Sequence, residues 1–363
     1  MGSASLYHLA RRGVKALGIE QFQLNHELGS SHGVNRIIRL AYREDPAYVP
    51  LLHRSYELWR ELEKQSSERL LYVTGGIDVG LPDSPTVEGA LLSCLTHNLS
   101  HEVLDAASLE KRFPGCRFPR DLIAVYQPDA GFLLAEGAVR AHLKAAESLG
   151  AEVHFRERVL QWEARAGEGL VQTDHDRYSA ENLVIAAGPW IRSLVPSLFN
   201  VAKPERQVLL WSQPLRPEFF APEVFPVFIL DVPEGLLYGT PIFEIPGFKI
   251  GRYHHLHQQA DPDRMDRECH PEDEKLLRDV IRRYFPDADG PTLTLKTCIF
   301  TNSPDGHFII DHHPESPRVL IAAGFSGHGF KFCGVVGETI ADFVLNGGTQ
   351  KDIHLFRLAR FSQ

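Results

Sequence analysis

Gly324-Phe325-Ser326-Gly327-His328-Gly329-Phe330-Lys331-Phe332 follows the apolar run Val319-Leu320-Ile321-Ala322-Ala323 and precedes a helical pattern through Val335, Val336, Ile340 and Phe343. A strand, a glycine turn and a helix in that order make a socket for a large polar cofactor. Glycine lets a ligand approach bare backbone, and a helix start offers unpaired N–H groups and the positive end of its dipole. Such turns also occur in sheets that bind nothing, so this one counts only together with the rest of the chain.

At the front, Met1–Gly13 reads as a short helix ended by glycine, and Val14–Glu20 as a buried strand with an acid at its tip. Glu20 lies 18 residues after Gly2. In a dinucleotide-binding βαβ unit, an acid about 20 residues beyond the glycine turn bonds the adenosine ribose. Such a unit begins with a strand and a G-x-G-x-x-G turn, and here Gly2 alone stands for the last glycine. Loss of a central strand leaves sheet edges unpaired, a cost of several kcal/mol against a total stability of about 5–15 kcal/mol. Two expectations follow: a protein of this fold that binds its cofactor poorly, or a start codon assigned too late, with further residues ahead of Met1. The second is preferred, because the residues that carry chemistry are retained.

The 363 residues suffice for two ordinary domains, and 43% hydrophobic with 23% charged residues is a globular composition. No apolar stretch reaches the roughly 20 residues of a membrane span, and no secretory signal is expected. A net charge of -9 without a basic block excludes nucleic acid as the expected partner. Cys94, Cys116, Cys269, Cys298 and Cys333 are odd in number and widely spaced, so a reducing cytoplasm is expected rather than a disulfide framework. Of 18 histidines, His254, His255 and His257 come nearest to a ligand set, and no metal is expected on spacing alone.

Further helices are expected from Asp45-Pro46 to about Gln65, over Ala135–Leu149 and over Pro271–Tyr284. Strands are expected near Leu70–Val73, Ile77–Val79, Glu152–Phe155, Val159–Trp162 and Leu183–Ala187, the last closed by Gly188-Pro189-Trp190. Nucleotide-type elements at both ends and a β-rich middle predict an α/β (α+β) chain. Its Rossmann-like cofactor domain is expected over 1–73, 136–203 and 303–363. An inserted antiparallel-sheet substrate domain is expected over 74–135 and 204–302.

Four motifs give these pieces a family likeness: Gly29-Ser30-Ser31-His32-Gly33-Val34-Asn35-Arg36-Ile37-Ile38-Arg39, Lys249-Ile250-Gly251, Thr297-Cys298-Ile299-Phe300-Thr301-Asn302-Ser303-Pro304-Asp305, and the glycine segment above. In that order the chain resembles the monomeric sarcosine oxidase and N-methyltryptophan oxidase family, among the D-amino-acid-oxidase-like flavoproteins. The resemblance implies FAD, bound covalently through the sulfur of Cys298 to the 8α carbon of the flavin ring. Without it, Cys298 would read as core. It further implies Gly2, Glu20, Ser31, His32, Arg36, Gly188, Trp190, Gly327, Gly329 and Lys331 near the cofactor.

For catalysis the resemblance implies Lys249 over the flavin face, where a fixed cation stabilises charge on reacting dioxygen. Arg39 and Lys331 match the pair that holds the substrate carboxylate, a planar fork and a point charge converging on one anion. Tyr238 matches a substrate-side tyrosine. His254 is the choice for the substrate-side histidine, with Tyr253 open because the spacing departs from the family's by one residue. The implied reaction is oxidation of a secondary amino acid (sarcosine, an N-methyl amino acid or pipecolate) to an imine, with O2 reduced to H2O2 by a monomer. A flavin dehydrogenase with another electron acceptor and an FAD-deficient protein of the same fold are the alternatives.

Overall fold

The computed structural model describes residues 1–165 and 167–361. Its largest sheet has eight strands, in the spatial order 292–302, 203–212, 248–252, 235–240, 227–232, 76–80, 123–127 and 102–105. Every neighbouring pair is antiparallel except Val227–Val232 with Gly76–Gly80. One face packs on the helix Pro271–Tyr284 through Phe220, Phe225, Phe228, Phe248 and Phe285, all buried. The Asp273 carboxylate accepts from the His270 N–H at 2.9 Å and so caps that helix, whose Pro271 fits the first turn.

The remaining strands form smaller sheets. Leu17–Glu20 runs parallel to Glu152–Phe155, and Leu183–Ile185 runs parallel to Ser316–Ala323, which also pairs with Ile309–His313. Asn35–Ile38, Gly131–Leu134 and Leu71–Val73 make another. The helix Gly2–Arg11 packs on both Ala135–Ser148 and Cys333–Asn346. Gly337 permits the closest approach, because a Cβ there would lie 2.6 Å from the Ala4 carbonyl. The mixed α/β architecture with a large, mostly antiparallel sheet is thus the one the chain adopts.

Most expected elements fall within a few residues of their predicted bounds. The helix predicted from Asp45 starts as a 3-10 turn, Pro46–Tyr48, with the Asp45 side chain accepting from Ala47 N, and continues as Val49–Ser66. Its buried Leu51, Leu52, Leu58, Trp59 and Leu62 form the predicted face. The helix expected after the glycine segment begins with a 3-10 turn at Phe330–Phe332 and becomes α-helical at Cys333. Gly327 and Ser326, with φ of 75° and 45°, hold the backbone in a turn until then.

Leu17–Glu20 and Leu183–Ile185 each pair along one edge, and both line the same cavity. That cavity positions the functional site. Among the described residues no helix is long and apolar enough to cross a membrane.

Candidate active site

A cavity of about 1220 Å³ runs from the strand Leu17–Glu20 to the glycine turn. It exceeds the roughly 300–1,000 Å³ of an ordinary small-ligand pocket, as a dinucleotide requires. Gly2, Glu20, Ser31, Arg36, Gly188, Trp190, Gly327 and Gly329 all line it, though they come from five separate stretches of sequence. Glu20 stands at the strand tip with Oε1 accepting from Phe22 N at 3.0 Å, and burial raises its carboxyl pKa. Trp190 is fixed by its indole N–H, which donates to Asp263 Oδ1 at 2.7 Å, and by Phe22, 5.3 Å from ring to ring. Gly327 is needed where it stands: a Cβ would sit 2.4 Å from the Phe300 ring.

Beyond Phe300 lies a second group. Cys298 is buried among Leu209, Trp211 and Phe300, with Tyr238 and Tyr253 packed against them. Arg36 points a guanidinium Nη2 at the Cys298 sulfur from 3.9 Å and donates to the carbonyls of Ser30 and His32 at 2.9 and 2.5 Å. His32 is buried with neither ring nitrogen hydrogen-bonded, and burial followed by Arg36 lowers its pKa to about 3. A neutral, unpartnered imidazole beside the end of a long cavity suits a polar ring that supplies its partner. The long cavity and the unpartnered His32 imidazole therefore fit a dinucleotide cofactor such as FAD.

Lys249 joins this group from the neighbouring strand. Its buried Nζ donates to Gly33 O, Asn35 O and Asn35 Oδ1 at 2.8, 2.9 and 2.8 Å, and lies 5.3 Å from the centre of the Trp211 ring system. Burial and then Arg36 pull its pKa well below the ordinary value. Three oxygens at donor distance nevertheless match the three N–H bonds of an ammonium, so the geometry holds the protonated form. Asn35, to which sequence reasoning gave no role, is the residue that builds this cradle. The pattern Asn35-Arg36 beside the Gly33 turn was the available signal.

Arg39 and Lys331 meet elsewhere, over one ring. The Arg39 guanidinium and the Lys331 ammonium lie 4.8 and 5.2 Å from the centre of Tyr42. The Tyr42 hydroxyl donates to His328 Nδ1 at 2.5 Å, and the opposite ring nitrogen of His328 faces the Gly306 carbonyl at 2.9 Å, which fixes the tautomer. The His328 carbonyl in turn accepts from Lys331 Nζ at 2.7 Å. Burial, with Arg39 next, lowers the Lys331 pKa to about 7.

Two acids that the sequence did not single out share this pocket. Glu44 Oε2 accepts from Arg39 Nη2 at 3.1 Å, and Asp78 Oδ1 faces Arg39 Nε at 3.4 Å without hydrogen-bond geometry. Burial raises the Asp78 pKa to about 6, against the pull of Arg39. Burial also opposes ionisation of Glu44, but Arg43 and Arg39 together hold its carboxyl below the usual range. Arg39 thus has an internal carboxylate partner in Glu44.

His254 is corrected. Its ring turns away to Glu205, with Nδ1 at 2.9 Å from Oε2, and it is half exposed. Tyr253 takes the inward place instead, T-shaped on Tyr238 at 5.0 Å and near Phe300 at 5.8 Å, with Arg43 5.8 Å from its ring centre. The strand ends at Arg252, so side-chain alternation cannot be extended through the next two residues. Cys333 is buried in the helix interface, as a packing residue would be.

A family model described as FAD dependent oxidoreductase matches residues 1–343. A monomeric sarcosine oxidase from Streptomyces avermitilis is 42% identical, over 98% of this chain and 94% of that protein. An N-methyl-L-tryptophan oxidase from Yersinia pestis is 34% identical, over 99% and 96% respectively. Among solved structures, an L-proline dehydrogenase from P. horikoshii superposes with a TM-score of 0.85 at 21% identity, covering 99% of this chain and 94% of its own, a likeness of fold.

Proposed function

Because the chain belongs to the FAD-dependent oxidoreductases, alongside the sarcosine and N-methyltryptophan oxidases, we propose that it oxidises secondary amino acids at the C–N bond. The substrate class is sarcosine, another N-methyl amino acid or a pipecolate-like cyclic imino acid. The amine loses two electrons and two protons to become an imine, which water hydrolyses. Dioxygen gains the same electrons and protons as hydrogen peroxide. FAD, when bound, accepts the electrons from the amine and releases them to dioxygen.

One observation carries this reading: two buried cations, Arg39 and Lys331, cover the same Tyr42 ring, and a third, Lys249, is held apart beside Cys298 and Arg36. The first pair suits a carboxylate, which a guanidinium fork and an ammonium bind together. Glu44 holds the place of that carboxylate until substrate arrives. Like charge around the bound amine favours its neutral form, from which electrons leave readily. Tyr253 and Tyr238 line the approach. Lys249, with its protons fixed on three oxygens, offers dioxygen a charge that needs no rearrangement. Cys298, with Arg36 against its sulfur, anchors the flavin covalently.

Purified protein made with ample riboflavin should release peroxide on adding sarcosine. After acid precipitation, yellow colour should stay with the protein, and its intact mass should exceed the sum of its amino acids. Colour in the supernatant overturns the Cys298 linkage. Flavin reduction without peroxide identifies a dehydrogenase using another acceptor, and absence of flavin identifies a protein that has lost the cofactor. The protein is expected to act as a monomer in the cytoplasm.

A further inference from the structure

Outside this site, Glu205, His254 and His257 bring one ligand atom each to within 4.8 Å of one another. We propose that they form a binding site for a divalent transition metal of the zinc class. The carboxylate is already oriented: Asn302 Nδ2 donates to Oε2 at 2.9 Å, and Gln207 Nε2 donates to Oε1 at 3.0 Å. Such outer partners typically steady metal ligands.

The two histidines are held with similar care. Between them His255 is fully buried, its Nε2 2.9 Å from Asp273 Oδ1, and its backbone N–H donates to Gln207 Oε1 at 3.3 Å. This anchor pins the turn, so that His254 and His257 flank it with rings parallel to within 5° and centroids 5.7 Å apart. Both residues adopt left-handed backbone, with φ of 53° and 54°. Side-chain-bearing residues rarely take that conformation without support from the surroundings, and such strain gathers at functional sites.

Two imidazoles and one carboxylate are a borderline donor set, suited to Zn²⁺, Ni²⁺ or Cu²⁺ rather than to Mg²⁺ or Ca²⁺. Metal–ligand distances of about 2.0–2.1 Å place tetrahedral ligand atoms roughly 3.3 Å apart. The His254–Glu205 contact is already near that separation, and the exposed His257 ring closes the remainder by side-chain rotation. The metal then takes the place of the proton shared between His254 and Glu205. Three protein ligands leave a position for water. The site also adjoins the inner group: Glu205 lies opposite Phe300 in the strand ladder, and Gln207 lies opposite Cys298. A bound metal would tie down the turn whose first residue, Tyr253, packs on Tyr238 and Phe300.

The test is a calorimetric titration of Zn²⁺ into the full chain with its flavin, after chelator treatment. One equivalent should bind, at least about tenfold more weakly in His257→Ala and in Glu205→Gln, in keeping with the weight of ligand and near-ligand groups. His354→Ala, an exposed histidine paired with Asp352, should leave the affinity unchanged. Absence of stoichiometric binding, or binding unmoved by both ligand variants, overturns the proposal. Should Glu205→Gln fold poorly, Cu²⁺ as probe still decides. Its paramagnetic resonance should show two imidazole nitrogens in the parent and one in His257→Ala, and a spectrum without imidazole nitrogen refutes the site. Neither readout depends on amine oxidation.

Discussion

Lys249 and Lys331 are both buried lysines beside aromatic rings, yet the chain holds them in opposite ways. Lys249 spends every N–H on an oxygen of Gly33 or Asn35. Lys331 has one protein acceptor, the His328 carbonyl, and shares its pocket with Arg39, Arg43, Glu44 and Asp78. The first is a fixed charge, built into the fold. The second is an adjustable one, left with donors to spare and a proton that titrates near neutrality. A fixed charge suits a small reactant that brings no counter-ion, whereas spare donors suit an anion that completes the site on binding.

The comparison breaks first at Lys249. Lys249→Met should slow reoxidation by roughly 10²–10³-fold, as loss of one preorganised charge-stabilising donor does, and leave anaerobic reduction nearly intact. Rapid-mixing kinetics of the two half-reactions would show this, and equal loss in both removes Lys249 from the oxygen step. It leaves three oxygens without a donor, so a lowered melting temperature should accompany it.

Lys331→Met should act on the other half. A charge-assisted hydrogen bond to a buried anion is worth about 1.5–3 kcal/mol, so KM for the amino acid should rise roughly ten- to a hundredfold with the oxygen step unchanged. A smaller effect follows from its titration. With a pKa of about 7 in the free protein, Lys331 is charged below that pH and neutral above it. Affinity for a carboxylate inhibitor should therefore fall by up to about tenfold per pH unit above neutrality. Ionisation of Asp78, with a pKa raised to about 6, adds repulsion in the same direction. Inhibition constants across pH would reveal the inflection near 7, which should vanish in Lys331→Met and leave only the weaker step from Asp78 near 6. The smallest effect belongs to Glu44→Gln. It removes the internal competitor for Arg39 and should tighten a carboxylate inhibitor a few-fold; weakened binding would mean that Glu44 orients Arg39 rather than competing for it.

Much of the frame could be read from local chemistry. Asp45-Pro46 marks a helix start by its cap, Pro271–Tyr284 by its proline and acidic first turn, and the glycine turn by the apolar run before it. The helix Pro85–His97 escaped, although Ser84 caps it with 3.3 Å to Val87 N, because small residues such as Ala90, Ser93 and Cys94 form its buried side. Contiguous motifs brought His32, Arg36 and Cys298 forward as candidates, and the structure places the Arg36 guanidinium beside the Cys298 sulfur. Glu44 and Asp78 were not: Glu44 sits in the loop just after Arg39 with no pattern to mark it, and Asp78 reaches Arg39 only through pairing of Gly76–Gly80 within the large sheet. Tyr253 and His254 could not be separated by spacing, because a turn, not a strand, decides which ring faces inward.

The most direct test of two separate cationic sites is the double variant Lys249→Met/Lys331→Met, compared with each single variant in kcat/KM for the amino acid and for dioxygen. Independent sites predict that each parameter responds to one lysine alone and that the losses add to within about 0.5 kcal/mol. A double variant whose losses fall well short of that sum, or single variants that each depress both parameters, would show one shared site and contradict the account.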